Sequence, residues 1–288
     1  MNANTWKTLR NALSTVLLFG IATLPSAAQN PKVLVLHPPG STYATASGIN
    51  NKGNTVGAFG MPGKSLQGFA YLPAANQYKI FNYPGADYTI ALGINDANTV
   101  VGTFANDDNQ AHGFFLVNGT KFTQYDVSGT SGTSVQAINN AGDFAGTVGS
   151  NGDYQGFVSI AGTVTTFQAN GRPTDAYSIN ASGTTVGFFV NAQATGVDGF
   201  LRDATGNITQ IDYPGSIQTA CTGINDAGAI TGFYTDTNGV DHGFVLINGK
   251  YKTLRAPYVA GINNHYAIVG SFVAKSGQTY GFLRPRGQ

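Results

Sequence analysis

The stretch Gly-Ile-Asn-Asp-Ala-Asn-Thr-Val-Val-Gly-Thr-Phe, residues 93–104, recurs in recognisable form along the whole chain. We take the isoleucine of its Ile-Asn pair as the anchor of each copy, and the anchors are Ile49, Ile94, Ile138, Ile179, Ile224 and Ile262. A glycine follows every anchor by eight residues, and the Phe of a Gly-Phe pair follows it by 19 to 21 residues. Three landmarks that keep their spacing six times indicate six copies of one unit of about 43 residues.

Each unit has the residue pattern of four short β-strands. In the second unit the first strand ends at Ile94, and the Asn and Asp that follow it favour a turn. The remaining strands are expected at 99–104, 112–117 and 121–126. Asn118-Gly119 is typical of the hairpin turn between the last two. Four antiparallel strands in a unit of this length match one blade of a β-propeller.

The ends of the chain distinguish a ring from an open solenoid. The sixth unit stops after its third strand, at 281–288, whereas a strand at 32–36 precedes the first unit. The spacing from Pro39 to Ile49 equals the spacing between the corresponding residues of the second unit, so 32–36 matches a fourth strand. We therefore predict an all-β protein, a six-bladed β-propeller of four-stranded antiparallel blades. An N-terminal strand completes the last blade and closes the ring, which leaves no exposed sheet edge.

The N-terminal residues have the features of an export signal. Basic residues precede the apolar run 12–24, and small residues lead up to Ala28. The apolar run is too short to span a bilayer. We predict a signal peptide at 1–28, cleaved after Ala28, and a single propeller domain at 31–288. The mature protein is then secreted or periplasmic and has no membrane span.

The composition argues against several classes of partner. The chain has 15 Lys and Arg against 14 acidic residues, all of them Asp, so it lacks the positive field that nucleic acid or an anionic membrane requires. The absence of Glu and the presence of 39 Gly indicate a turn-rich, helix-poor fold. Cys221 is the single cysteine, so no internal disulfide can form. Its place in a first strand predicts a buried, inert thiol.

The repeats resemble the HAF-type extracellular repeat family of exported bacterial proteins, named for a His-Ala-Phe triplet. The chain carries Gly-Ile-Asn, a Val-Gly pair in four units, and the triplet as His112-Gly113-Phe114 and His242-Gly243-Phe244. The middle residue is Gly rather than Ala, and four units lack the His. The resemblance covers 31–288 and implies an extracellular location and a propeller-like fold. It implies no chemistry.

Two motifs bear on metal binding. His112 and His242 occupy equivalent positions in units two and five, so a six-fold ring places them on opposite sides, too far apart to share a metal. Asp236, Asn238 and Asp241 have the spacing of an oxygen-rich calcium loop, but the chain has no Glu to complete an EF-hand. A hairpin turn explains the same residues. We expect no cofactor, with calcium in this loop as the alternative.

The loops that enter the first strand, and those between the second and third strands, share one face of a propeller around its channel mouth. The aromatic and acidic residues that fall on this face are Tyr43, Asp87, Tyr88, Asp175, Tyr177 and Tyr258. Aromatic rings beside carboxylates suit a sugar or another polar ring, which they stack against and hydrogen-bond. These six are the predicted ligand-binding residues, and ordinary loop composition is the alternative explanation.

No motif for nucleophilic, metal or phosphate chemistry occurs. The adjacent carboxylates Asp107 and Asp108 would point to opposite faces of a strand. The leading hypothesis is an exported, non-catalytic binding or scaffold propeller, a monomer with a carbohydrate or protein ligand and no catalytic residues. The alternatives are a propeller enzyme, a glycan hydrolase or lyase using Asp residues at the channel mouth, and a purely structural surface component.

Overall fold

A computed structural model describes residues 33–106, 110–150 and 153–285, apart from the side chains of Ser150 and Asp153. The predicted signal peptide lies outside the described residues. Within them the chain is all-β, and its helical structure is one short 3-10 turn at Ala169–Gly171.

The described residues form 24 strands. In chain order they are β1 (Leu34–Leu36), β2 (Tyr43–Ile49), β3 (Thr55–Gly60), β4 (Gln67–Leu72), β5 (Gln77–Phe81), β6 (Tyr88–Ile94), β7 (Val100–Ala105), β8 (Ala111–Val117), β9 (Lys121–Tyr125), β10 (Thr133–Ile138), β11 (Phe144–Ser150), β12 (Asp153–Ile160), β13 (Thr163–Phe167), β14 (Thr174–Ile179), β15 (Thr185–Val190), β16 (Val197–Arg202), β17 (Ile208–Ile211), β18 (Gln218–Ile224), β19 (Ile230–Thr235), β20 (Asp241–Ile247), β21 (Lys250–Thr253), β22 (Tyr258–Ile262), β23 (Ile268–Val273) and β24 (Thr279–Arg284). In the second unit the strand ends lie within one residue of those predicted from the sequence.

Consecutive strands pair antiparallel in sets of four. Four sheets hold one set each: β6 to β9, β10 to β13, β14 to β17 and β18 to β21. The fifth sheet joins β22, β23 and β24 to the set β2 to β5, with β1 paired to β24. The link inside this sheet is a single parallel bridge between Tyr43 and Thr279. The predictions of an all-β fold and of four-stranded antiparallel sheets are confirmed.

Strand β1 lies beside the last strand of the chain rather than beside its sequence neighbour β2. It runs antiparallel to β24, with Leu36 opposite Gly281. Because β23 occupies the other edge of β24, β1 stands in the fourth-strand position of the sixth repeat. Leu36 is fully buried in a cluster with Phe69 of the first repeat and Val269 of the sixth. The N-terminal strand therefore contributes to a core that the first and last repeats share.

Each first strand carries a β-bulge shortly before its anchor isoleucine. The register with the second strand skips one residue in all six repeats, and the skipped residues are Ser47, Leu92, Gln136, Tyr177, Thr222 and Ala260. An extra residue bends its strand and increases the local twist. Since the bulge recurs at the same place, the six first strands bend in the same way.

The glycine eight residues after each anchor is required by a close approach of two strands. A Cβ on Gly102 would lie 2.0 Å from the carbonyl oxygen of Ile90 and 2.8 Å from the ring of Phe114. The ring comes from the next strand of the same repeat, and the first-strand carbonyl lies closer still. These glycines are therefore structural.

The six first strands are neighbours in a cycle. Contacts run from β2 to β6, from β6 to β10, from β10 to β14, from β14 to β18, from β18 to β22, and from β22 back to β2. Glycine permits this proximity, because a Cβ on Gly48 would lie 2.6 Å from the carbonyl oxygen of Leu92 in the next strand. A seven-residue first strand is about 20 Å long at about 3.3 Å per residue. Its start and its end are therefore separate places for a site.

Candidate functional site

The Ile-Asn motifs meet where the first strands end, a region that we call the asparagine end. Each motif asparagine donates a hydrogen bond from Nδ2 to the backbone carbonyl oxygen of the next repeat's asparagine. The six bonds are Asn50 to Asn95 (3.0 Å), Asn95 to Asn139 (3.3 Å), Asn139 to Asn180 (3.0 Å), Asn180 to Asn225 (3.3 Å), Asn225 to Asn263 (3.2 Å) and Asn263 to Asn50 (2.9 Å). All six side chains are buried. The bonds form a cycle that passes through every repeat.

Each motif asparagine also closes the turn that follows it. The Oδ1 atom of Asn139 accepts hydrogen bonds from the backbone N–H groups of Ala141 and Asp143, both at 2.9 Å. This is the Asx turn that favours asparagine over other residues. Both the donor and the acceptor of the side chain are thus used within the protein. The architecture alone accounts for the repeated asparagine.

A second ring of side chains, the rim, surrounds the first. Its members each follow a motif asparagine, and they are Asn51, Asp96, Asn140, Ala181, Asp226 and Asn264. Five links join the backbone N–H of one member to the side-chain oxygen of the next. Ala181 has no side-chain oxygen, so the sixth link, from Asn140, is absent from the described part of the chain.

The two rings surround a small cavity that is open to solvent. The anchor isoleucines line it together with both rings. The sequence analysis placed no site here, although it could have noted that the position after each Ile-Asn carries Asn, Asp or Ala. What the sequence could not supply was the inter-repeat bonding that brings these residues into one ring.

Five of the six predicted ligand-binding residues lie towards the opposite end of the first strands, which we call the tyrosine end. The sixth, Tyr177, is the bulge residue of its strand, two residues before its anchor Ile179. Tyr43 and Tyr88 are the first residues of β2 and β6, with Asp87 just before β6. Asp175 and Tyr177 lie in β14, and Tyr258 begins β22.

Two of the predicted tyrosines, Tyr177 and Tyr258, join one aromatic group. The ring of Tyr258 lies 5.5 Å from the ring of Phe233, and the ring of Tyr177 lies 5.2 Å from that of Phe188. The two phenylalanines are buried in one cluster, and both tyrosines pack against it. The group draws on the fourth, fifth and sixth repeats. Among the described residues Tyr43 makes no ring contact with it, although its phenol contributes to the raised pKa of Tyr258.

Asp175 lies in the same first strand as Tyr177, and one of its carboxylate oxygens accepts a hydrogen bond from the preceding repeat. Its Oδ1 atom accepts a hydrogen bond of 2.6 Å from Oγ1 of Thr147. Burial, together with the charge of Asp175, raises the pKa of the Tyr154 phenol. In contrast, Asp87 is exposed and Tyr88 is half-buried. Among the described contacts, neither makes a hydrogen bond or ring contact with the aromatic group.

The phenols at the tyrosine end are held in their neutral form. Burial, with a contribution from Tyr43, raises the pKa of Tyr258 to about 12. Burial also raises the pKa of Tyr43, although a hydrogen bond with Thr45 opposes the rise. At neutral pH both hydroxyls carry a proton that they can donate. The group therefore offers aromatic faces and hydrogen-bond donors rather than a base.

Phe188 and Phe233 were missed by the sequence analysis. Each directly follows one of the repeated glycines, where the other repeats carry the smaller residues Ala58, Thr103, Thr147 and Ser271. This departure from the repeat was the signal that could have found them. In the described residues, the buried Oγ1 of Thr103 and Oγ of Ser271 have no hydrogen-bond partner. The positions around this layer therefore differ in both size and polarity.

The two equivalent histidines have separate local partners. His112 Nδ1 lies 3.0 Å from Oδ2 of Asp126, and His242 Nε2 lies 3.0 Å from Oδ2 of Asp236. Each ring also packs against an aromatic residue of the preceding strand. These contacts account for both histidines as parts of their own repeats.

The proposed calcium loop is a hairpin turn with internal hydrogen bonds. Oδ1 of Asp236 accepts bonds from the backbone N–H groups of Asn238 and Val240. Oδ1 of Asp241 accepts a 2.6 Å bond from Oγ1 of Thr235. Within the described ranges, no group of three or more His, Cys, Asp or Glu could hold a metal ion. The related segment 107–109, with its adjacent carboxylates, lies outside the described residues.

A pair of carboxylates lies on the third and fourth strands of the fourth repeat. The Nε2 atom of Gln210 donates to Oδ2 of Asp198 at 3.2 Å and to Oδ2 of Asp212 at 2.7 Å. Burial and the charge of Asp212 raise the pKa of Asp198, while Arg172 opposes the rise. Third strands lie about 10 Å outside first strands at a spacing of about 4.8 Å. The pair is therefore away from the first strand of its own repeat, although β16 packs against β18, the first strand of the next repeat.

Cys221 is fully buried in β18. Burial, with a smaller effect from Asp212, raises the pKa of its thiol. A neutral buried thiol is a poor nucleophile, which agrees with the inert role expected from the sequence.

No protein-family model and no curated protein matches the chain. Several solved structures share its fold at low identity. A putative TolB from Agrobacterium tumefaciens has a TM-score of 0.58 at 10% identity, over 84% of this chain and 90% of its own. A gluconolactonase from Xanthomonas campestris has a TM-score of 0.51 at 7% identity, over 85% of this chain and 89% of its own. AofleA from Arthrobotrys oligospora has a TM-score of 0.51 at 12% identity, over 94% of this chain and 88% of its own. These likenesses establish a β-propeller-like repeat fold and nothing about activity.

Among the residues that the structure describes, no helix is long and apolar enough to cross a membrane.

Proposed function

We propose that the chain is an exported, non-catalytic propeller that binds a polar ring, in a carbohydrate or a protein ligand, at its tyrosine end. The observation that carries the proposal is the group of Tyr177 and Tyr258 around Phe188 and Phe233. It is assembled from three successive repeats and differs from the equivalent positions of the others, which carry smaller residues after the repeated glycine. A repeat protein gains an asymmetric group only by departing from its own pattern, and binding one asymmetric ligand requires such a departure.

The fold behind this proposal is a six-bladed ring whose last blade is completed by β1. Three observations support it: the cycle of asparagine bonds, the cycle of contacts between first strands, and the pairing of β1 with β24. A closed ring leaves fewer free sheet edges for association, which favours a monomer. The motifs shared with HAF-type repeats and the features of residues 1–28 support export to the periplasm or the exterior.

The chemistry of the tyrosine end suits a sugar ring better than an ion. Tyrosine faces stack on the apolar side of a sugar, and protonated phenols donate hydrogen bonds to its hydroxyls. Asp175 supplies an acceptor that is already held in place by Thr147. Aromatic area combined with a few oriented polar groups is the usual composition of a small-molecule site.

A glycan-array screen of the labelled mature chain, 29–288, tests this proposal. We expect retention on a subset of glycans. Replacement of Tyr177 by alanine should abolish retention, because it removes a stacking surface. The matched control is Tyr266→Ala, which removes a half-buried tyrosine from a turn at the asparagine end and should leave retention unchanged. Absence of retention on every glycan, or equal loss in both variants, would refute a carbohydrate site at the tyrosine end.

A glycan hydrolase or lyase is the second candidate, and the Asp198–Asp212 pair is the observation that favours it. The pKa of Asp198 is raised, and a carboxyl with a raised pKa beside a second carboxyl is an arrangement used for acid–base work on glycosidic bonds. Incubating the chain with any glycan that retains it separates the two candidates. Release of new reducing or unsaturated ends that disappears in Asp198→Asn would establish the enzyme, whereas an unchanged glycan supports binding alone.

A further inference from the structure

The first strands approach one another most closely at the residue just before each anchor isoleucine. A Cβ on Gly48 would lie 3.1 Å from the Cα atom of Gly93, and a Cβ on Gly93 would lie 2.9 Å from the Cα atom of Ala137. The corresponding distance from Gly223 to Gly261 is also 2.9 Å. Since a carbon–carbon bond is about 1.5 Å long, the Cα atoms at these three junctions lie within about 4.6 Å of each other.

This spacing closes the channel of the six-bladed ring proposed above. In a regular ring of six the radius equals the spacing between neighbours, so the Cα atoms at this level lie about 4.6 Å from the axis. Carbon atoms pack at about 3.5–4.0 Å, which leaves a bore about 5 Å wide before any side chain is counted. The side chains of the adjacent bulge residues occupy that bore. They are Ser47, Leu92, Gln136, Tyr177, Thr222 and Ala260.

The bulge residues separate the two ends of the channel. The cavity at the asparagine end is lined by the anchor isoleucines and the residues after them, and none of the bulge residues is among the described residues that line it. Four bulge residues are nevertheless half-buried rather than buried, namely Ser47, Leu92, Gln136 and Tyr177. Because first strands are the innermost strands of the ring, their exposed area faces the channel from the tyrosine end. These four residues therefore form the floor of a blind cup.

The tyrosines mark successive depths in this cup. Tyr43, Tyr258 and Tyr177 precede their anchors by six, four and two residues. At about 3.3 Å per residue, the levels of Tyr43 and Tyr177 are about 13 Å apart. A sugar chain whose middle lay beside Tyr177 would have to enter and leave through the same mouth. The end of a chain can reach Tyr177 directly.

The floor also carries a polar group suited to a chain end. The Nε2 atom of Gln136 lies 3.4 Å from Oγ of Ser134, and among the described residues no group donates to its Oε1 atom. A terminal sugar has one more free hydroxyl than an internal sugar, in which that oxygen belongs to a glycosidic bond. A site that hydrogen-bonds a hydroxyl discriminates strongly against a ligand that lacks it.

We propose that the tyrosine end binds the non-reducing terminal residue of a glycan, with the sugar ring beside Tyr177 and a hydroxyl at Gln136, and that it excludes internal residues. The inference rests on the proposed function, since it concerns the same site. Glycans that are attached to a surface are held through their reducing ends, which leaves the non-reducing end to enter the cup.

An array that carries each glycan with and without one extra sugar at its non-reducing end tests the proposal on the wild-type mature chain. We expect the extra sugar to reduce retention by about tenfold or more, and one extra sugar on the reducing side to leave it unchanged. Equal retention of the capped and uncapped glycans would overturn this inference and leave the proposed function standing. Absence of retention on every glycan would instead refute the proposed function, and this inference with it.

A floor variant locates the bound residue. Gln136→Phe fills the floor beside Tyr177 and should abolish retention, whereas Gln77→Phe, the same replacement at an exposed position of β5, should leave it unchanged. Retention by a folded Gln136→Phe variant would place the ligand across the mouth and overturn the proposal, as would equal loss in both variants. The capping comparison needs no substitution, so it remains decisive even where Gln136→Phe unfolds.

Discussion

The asparagine end and the tyrosine end belong to the same six first strands, yet one repeats from strand to strand and the other varies. At the asparagine end every motif side chain bonds to the next repeat. Among the described residues, the one missing link is in the rim, where Ala181 has no side-chain oxygen. At the tyrosine end, equivalent positions carry Ala, Thr, Phe or Ser. Repetition marks what holds the repeats together, and departure from it marks where a ligand can be recognised.

The same contrast appears in how polar groups are satisfied. The buried asparagine amides use both their donors and their acceptors. The buried hydroxyls of Thr103 and Ser271, in the layer that holds Phe188 and Phe233, have no partner among the described residues. Buried polar groups without partners cost stability. Substitutions at the tyrosine end should therefore cost less stability than substitutions in the asparagine cycle.

The largest loss of stability is expected in the core that the N-terminal strand β1 shares with the first and sixth repeats. Leu36→Ala removes a fully buried side chain from the core shared by the first and sixth repeats, and should lower the free energy of unfolding by about 2–5 kcal/mol. Urea unfolding monitored by circular dichroism measures it. Val35→Ala, on the exposed side of the same strand, is the control and should change stability by less than about 0.5 kcal/mol. Equal effects of the two variants would argue against a structural role for β1.

A change within the asparagine cycle should cost nearly as much. Asn139→Ala leaves the Asn180 carbonyl and the Ala141 and Asp143 N–H groups without their partner. We expect a loss of about 3 kcal/mol in urea unfolding, since each buried unsatisfied group costs about 1–3 kcal/mol. Asn140→Ala, at the exposed rim, should cost less than about 1 kcal/mol. A rim variant as damaging as the cycle variant would remove the distinction between the two rings.

At the tyrosine end, stability should depend on alkaline pH. The folded-state pKa of Tyr258 is raised from 10.0 to about 12, so its contribution is complete below pH 10 and is lost as the pH rises towards 12. Because the side chain is partly exposed, we expect the free energy of unfolding to fall by only about 1 kcal/mol over this pH range. Unfolding free energies of the wild type and Tyr258→Phe across this range measure it. The unfolding free energy of the variant should decline less steeply with pH than that of the wild type. Equal slopes for the two proteins would show that the phenol of Tyr258 is exposed to water.

An effect of similar size is expected at the hydrogen bond between the third and fourth repeats. Thr147→Val keeps the shape of the side chain but removes the donor to Asp175. Loss of one hydrogen bond to a partly buried carboxylate should cost about 1–2 kcal/mol. Thr103→Val, at the equivalent position without a partner, should be neutral or stabilising. The opposite order of the two variants, measured by urea unfolding, would show that the hydroxyl at Thr103 has a partner in solution.

The repeat landmarks predicted the strands well because they mark turns and close approaches, which are local. The spacing after Ile94 placed three strands within one residue, and the turn residues predicted the antiparallel pairing. The bulge before each anchor was not predictable, since it is a register shift of the backbone that no residue type specifies. The asparagine cycle was missed because its partners lie 38 to 45 residues apart along most of the chain.

The candidate site was predictable in part. Topology placed Tyr43 and Tyr258 at the starts of first strands, whereas Tyr177 lies at the bulge, two residues before Ile179. Whether side chains meet depends on packing between repeats, so the sequence could not separate Tyr177 and Tyr258 from Tyr43 and Tyr88, for which no ring contact with the aromatic group is found among the described residues. Phe188 lies in a second strand, and its departure from the small residues of other repeats carried the missing information.

Amide hydrogen exchange with and without a glycan that retains the chain tests most directly whether the two ends have different tasks. We predict slower exchange at the starts of β2 and β22 and along β14, in Tyr43, Tyr258 and Tyr177 and their neighbours. The turns after the anchor isoleucines should exchange at the same rate in both states. Protection confined to those turns, with the tyrosine end unchanged, would contradict the assignment of ligand recognition to the tyrosine end.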